Sequence, residues 1–186
     1  MNIPSIEIYS REEFDKFISN NGINNNICYI GIISSNDDYT EYPLFKYKYK
    51  FGNNIIMMFD DIDLFGLEKM FPENGPYNSV FNKFQASHLF DFILKNINKS
   101  KFIIHCDAGI SRSTSVGLFI SKMFDYINYF KNMSITFKDI PIKLSCYVKF
   151  LNQYAFRKHP NKMVVKLLTE QFNIYFETDL DKYFEL

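Results

Sequence analysis

A chain of 186 residues is the size of one ordinary domain, and 47% hydrophobic with 18% aromatic residues is ample for a substantial core, so residues 1–186 are expected to fold as a single domain. Its 21 basic and 21 acidic side chains cancel and its pI is near 6.8, which argues against a nucleic-acid partner or an anionic membrane and requires any anion site to be local. No stretch approaches the roughly 20 uninterrupted apolar residues of a membrane helix, the start MNIPSIEIYSREEF lacks a basic flank followed by an apolar run, and Cys28, Cys106 and Cys146 are odd in number and irregularly spaced. The expectation is a cytoplasmic protein with free thiols, no membrane partner and no metal.

Ser10 followed by Glu13 forms a capping box, and Phe14, Phe17 and Ile18 then share one face, which predicts a helix over 11–20. The Asn-rich turn from Asn20 to Asn26 ends it. CYIGII and later NIIMMF are short apolar runs bounded by polar clusters and read as buried strands. Between them Lys46, Lys48 and Lys50 alternate with Tyr47, Tyr49 and Phe51, the period of a half-exposed strand. Residues 63–78 carry Gly66, Pro72, Gly75 and Pro76 and read as a long loop. A helix over 80–97 follows, with Val80, Phe81, Phe84, Leu89, Phe92, Ile93 and Ile97 as its apolar stripe. KFIIHC then reads as a strand that enters the turn DAGIS and a helix over 111–126, and further helices are expected over 142–156 and 162–176, Pro160 standing just before the last. Strands alternating with helices, the most apolar strands buried on both sides, predict an α/β sheet with helices on both faces.

The chemistry is concentrated in His105, Cys106, Asp107, Ala108, Gly109, Ile110, Ser111, Arg112 and Ser113, where five residues separate a cysteine from an arginine between an apolar strand and a helix. Asp107 to Arg112 form a loop short enough to curl around a phosphate with its N–H groups inward, and the positive end of the next helix adds to the site. Gly109 can take the backbone angles such a curl demands. A cradle of this kind favours a thiolate, which attacks phosphorus directly. Arg112, a planar fork that stays charged, matches two phosphate oxygens as a lysine cannot. Ser113 can hydrogen-bond the sulfur when it leaves, and His105 at the strand end is expected to be a buried orienting residue rather than a proton shuttle.

The run HCDAGISRS resembles the signature loop of the cysteine-dependent protein tyrosine phosphatases, and its AGISRS form is similar to the dual-specificity branch. The resemblance extends over roughly residues 54–175, from the strand NIIMMFDDI to HPN at His159 to Asn161, which is similar to a Pro-Asn pair before the last helix of dual-specificity enzymes. It implies a tyrosine-phosphatase-like fold and hydrolysis of phosphotyrosine, and of phosphoserine or phosphothreonine, through a phosphocysteine intermediate without a cofactor. The partner it implies is a phosphorylated protein or peptide; the oligomeric state is left open.

The family also implies an aspartate on a loop ahead of the signature strand as general acid. Asp61 best matches that position, Asp60 is the adjacent alternative, and Asp63 and Glu73 are further rivals, because the separation between Asp61 and Cys106 is longer than is usual in the family. The surplus falls in 63–78. His88 is expected to be a packing residue on its helix, and Cys28 a small buried hydrophobe. Asp107 brings a negative charge to the rim, where relatives that handle phosphoinositides carry lysines. Two other readings keep the loop: an RNA 5′-triphosphatase, which Asp107 and the zero net charge disfavour, and a phosphate-binding module without catalysis, which the presence of Cys106, Arg112 and Ser113 together disfavours.

Overall fold

The structure, a computed structural model, describes residues 4–38, 40, 44, 52–62, 80–133 and 160–177. Its elements in chain order are strand β1 (Ser5–Ser10), helix α1 (Arg11–Asn21), strands β2 (Ile27–Ile33) and β3 (Asn54–Met58), helix α2 (Lys83–Lys95), strand β4 (Lys101–Cys106) and helices α3 (Arg112–Met133) and α4 (Lys162–Phe176). The four strands form one parallel sheet in the order β1-β4-β2-β3. Parallel pairing demands crossovers, so all four strands end at one edge of the sheet, where open α/β sheets bind ligands.

Alternation along the central strands sorts the core onto two faces. Cys28, Ile30 and Ile32 of β2 and Phe102, Ile104 and Cys106 of β4 join Leu89 and Ile93 of α2, Phe119 and Met123 of α3 and Leu168 and Phe172 of α4. On the opposite face Tyr29, Ile33 and Ile103 meet Phe14 and Ile18 of α1. The sheet is therefore covered on both sides, as the alternation of strands and helices predicts.

The helix starts follow their caps. Ser10 and Glu13 form the reciprocal capping box of α1, Asn82 and Gln85 form a second one at α2, and Asn161 caps α4 by accepting from the Val164 N–H. Gln85 also donates to the carbonyl of Met58 at 2.8 Å, tying α2 to the end of β3.

Five points differ from the sequence reading. β1 lies ahead of α1, where the sequence reading assigns no element: as an edge strand it offers Ile6 and Ile8 to one face and Tyr9 to the other, all only partly buried. Phe84 is 80% exposed rather than part of the α2 stripe, because the helix begins at Lys83 and its buried residues are Ala86, Leu89, Phe90 and Ile93. Val80 and Phe81 are buried but precede the helix. His88 falls on the solvent side with Phe84, Asp91 and Lys95, so it is not a packing residue. α3 runs on to Met133, past the predicted end. The strand expected around Lys46, Lys48 and Lys50, the loop 63–78, the helix 142–156, Cys146 and His159 lie outside the described residues. Among the described residues, no helix is long and apolar enough to cross a membrane.

Candidate active site

The loop 107–111 leaves the end of β4, the strand between β1 and β2, and enters α3 at Arg112. Its shape depends on Gly109, which has φ +67°, and a Cβ there would stand 2.8 Å from the backbone N of Ser10 and the backbone C and O of Tyr9. A side chain would meet both strain and collision with main chain. The Arg11 N–H donates to the Asp107 carbonyl at 3.1 Å, seating the loop on the junction of β1 and α1. Gly117, one turn into α3, brings that helix so close to the sheet that a Cβ would lie 2.7 Å from Ile8 Cδ1.

Cys106 is 3% exposed, and its Sγ lies 3.1 Å from the hydroxyl of the fully buried Ser113. Arg112 is 5% exposed. Its Nη1 donates to the Phe59 carbonyl at 2.8 Å and to Ser34 Oγ at 3.3 Å, and its Nη2 pairs with the Asp107 carboxylate. Its Nε is buried and meets no hydrogen-bond acceptor among the described residues. A buried donor on a charged group costs free energy when unpaired.

The two adjacent aspartates after β3 diverge. Asp60 turns to the residues that follow β2, accepting from the Ser35 N–H at 2.9 Å and the Ser35 hydroxyl at 2.7 Å. Asp61 is exposed and turns to the loop, its Oδ1 accepting from Ser111 Oγ at 2.7 Å and Asn161 Nδ2 at 3.0 Å. Both donors reach the same oxygen, Oδ1. Asp63 and Glu73 lie outside the described residues.

His105 is fully buried, its ring stacked on Phe14 with centroids 4.1 Å apart and planes 14° from parallel. Burial, with a smaller contribution from the charge of Arg11, pushes its pKa down to about 3. The imidazole is neutral at pH 7 and lies on the α1 side of the sheet, away from Cys106. Cys28 is buried, and burial pushes its thiol up, as befits an inert hydrophobe. Asp107, Ala108 and Ile110 are exposed at the rim of the loop. No cluster of His, Cys, Asp or Glu able to hold a metal occurs among the described residues.

The structure thus brings Cys106, Ser113, Arg112, Asp107, Ser111 and Asp61 to one edge of the sheet, while Asp60 turns to Ser35 and His105 to Phe14. It adds three groups to those singled out in the sequence. Asn161 carries a signal in HPN, since a residue that caps a helix through Oδ1 has an amide left to donate. Ser34 and the Phe59 carbonyl carry none, because only strand order brings the ends of β2 and β3 to the same edge of the sheet as the end of β4. Comparison of the chain with protein-family models, curated proteins and solved structures gave no match.

Proposed function

We propose that this protein is a cysteine-dependent phosphoprotein phosphatase of the tyrosine and dual-specificity kind, hydrolysing phosphomonoesters of protein side chains without a metal or organic cofactor. The observation that carries the reading is the buried Arg112, fixed through Nη1 while its Nε meets no acceptor among the described residues, on the same loop as a cysteine whose sulfur lies against the Ser113 hydroxyl. A guanidinium so held can receive an anion on its remaining edge.

The reaction runs in two steps. The Cys106 thiolate forms an S–P bond as the ester P–O bond breaks, Arg112 binding the equatorial oxygens where charge accumulates. Asp61 gives its proton to the leaving oxygen. A water then returns a proton to the Asp61 carboxylate as it attacks phosphorus, the S–P bond breaks, and the sulfur leaves as a thiolate that the Ser113 hydroxyl hydrogen-bonds. Ser111 and Asn161 hold Asp61 beside the loop by its Oδ1 throughout.

The test is phosphate release by the full chain from an aryl phosphate, phosphotyrosine and phosphothreonine peptides and 5′-triphosphorylated RNA. Turnover of the peptides is expected. No hydrolysis of any phosphomonoester, or release from RNA alone, would refute the assignment.

A further inference from the structure

Asp107 is the first residue of the loop after β4. Its carboxylate turns onto Arg112, accepting from Nη2 and from Ser34 Oγ, the latter at 3.0 Å. The guanidinium has two usable edges. Nη1 is committed to the Phe59 carbonyl and Ser34, which leaves Nε and Nη2 as the fork that can take two oxygens of one anion. Nε meets no acceptor and Nη2 meets Asp107, so the protein's own carboxylate covers one tooth of that fork.

Arg112 does not need Asp107 to be positioned. It is 5% exposed and anchored at 2.8 Å on main chain through Nη1. The Asp107 side chain is 43% exposed, against 6% for that of Arg112, so it can swing to solvent at little cost while the guanidinium stays. A carboxylate in this place competes with any phosphoryl group for Nη2, and it repels further charge that extends outward past the rim.

Resting on the phosphatase reading, we propose that Asp107 is a specificity-determining residue: an internal anion that the phosphoryl group must displace from Arg112 Nη2. It weakens the site for every phosphate and weakens it most for ligands with a second, adjoining phosphate. The substrate class that results is the isolated phosphomonoester on a side chain, with polyphosphates excluded by charge.

The test is calorimetric titration of the full chain with inorganic phosphate and with pyrophosphate, in the wild type, Asp107→Asn, Asp107→Ser and Arg112→Ala. Asp107→Asn is expected to bind phosphate about tenfold more tightly, the half-exposed position keeping the effect from being larger. Pyrophosphate should gain several-fold more than phosphate does. Without ligand the variant should melt lower, since Arg112 loses its ionic partner, yet its melting temperature should rise more on adding phosphate. A merely structural role would lower the first and leave the second unmoved.

Unchanged or weaker binding by Asp107→Asn and Asp107→Ser, with binding lost in Arg112→Ala, overturns the proposal and leaves the phosphatase reading intact: Asp107 would then support Arg112 rather than compete for it. Failure of both Asp107 variants to fold overturns it in the same way. No binding of either ion by the wild type and the Asp107 variants removes the anion site itself and the proposal with it.

Discussion

The last two residues of β4 stand side by side in the sequence and on opposite sides of the sheet. Cys106 faces the α3 side, its sulfur against Ser113, at the start of a loop that carries a buried arginine with an unpaired donor. His105 faces α1, stacked on Phe14 and kept neutral by burial. Both are almost wholly buried, so exposure does not distinguish them; what does is the company each keeps. A serine hydroxyl lies against one, and an aromatic ring covers the other. Within a single motif, strand alternation turns one residue to the loop and α3 and its neighbour to α1; on the proposed function the first carries the chemistry and the second packs.

The hardest test of that division is Cys106→Ser. A hydroxyl is a poor nucleophile at neutral pH, so hydrolysis should fall by at least about four orders of magnitude. Phosphopeptide binding and the melting temperature should change little, because the cradle and Arg112 persist. Turnover surviving in this variant would remove Cys106 from the reaction. Arg112→Lys should cost on the order of 10²–10³ in kcat, since one ammonium cannot span two oxygens and reach the Phe59 carbonyl as well. Near-normal kcat in the lysine variant would end the clamp role.

Asp60 and Asp61 repeat the contrast on a smaller scale. Asp61→Asn should slow phosphotyrosine hydrolysis about a hundredfold and affect an activated aryl phosphate far less, because a good leaving group needs little protonation. Asp60→Asn should leave both rates close to wild type and instead cost about 1–2 kcal/mol in chemical denaturation, through the weakened bonds to Ser35. An Asp60 variant with the leaving-group dependence, and an Asp61 variant without it, would exchange their roles.

The strand, the glycine turn and the helix start around the Cys-x5-Arg run are legible because their constraints are local and fall within one short run. The capping boxes at Ser10 and Asn82 are local too. Asp61 over Asp60 could be preferred from the resemblance alone; the physical difference lies in partners far along the chain, Ser111 and Asn161 for one and Ser35 for the other. Ser34 and Phe59 stayed invisible for the same reason. β1 was missed because an edge strand with two isoleucines gives too short a period to outweigh the capping box beside it, and Phe84 was misplaced because the start of α2 at Lys83, two residues past Phe81, turns it to the outside.

His105 supplies the smallest effect and the one that isolates the packing side of β4. Its ordinary pKa of 6.5 belongs to the unfolded chain and the value of about 3 to the fold. The unfolded state therefore binds the proton first as pH falls, so folding loses stability below pH 6.5 and goes on losing it until about pH 3. Each pH unit inside that window is worth about 1.4 kcal/mol for a single group, or about 2 kcal/mol between pH 7 and pH 5. Asp15 and Asp125, both raised by burial, tilt the profile the other way and are common to both proteins in the comparison. His105→Phe keeps an aromatic ring against Phe14 and has nothing to titrate, so its stability measured by urea unfolding at pH 7, 6 and 5 should fall less steeply than that of the wild type. Phosphatase activity per folded molecule should be retained at pH 7. Parallel stability profiles would mean that the imidazole is protonated inside the fold; a loss of activity as deep as that of Cys106→Ser would place His105 with the chemistry and dissolve the division between the two faces.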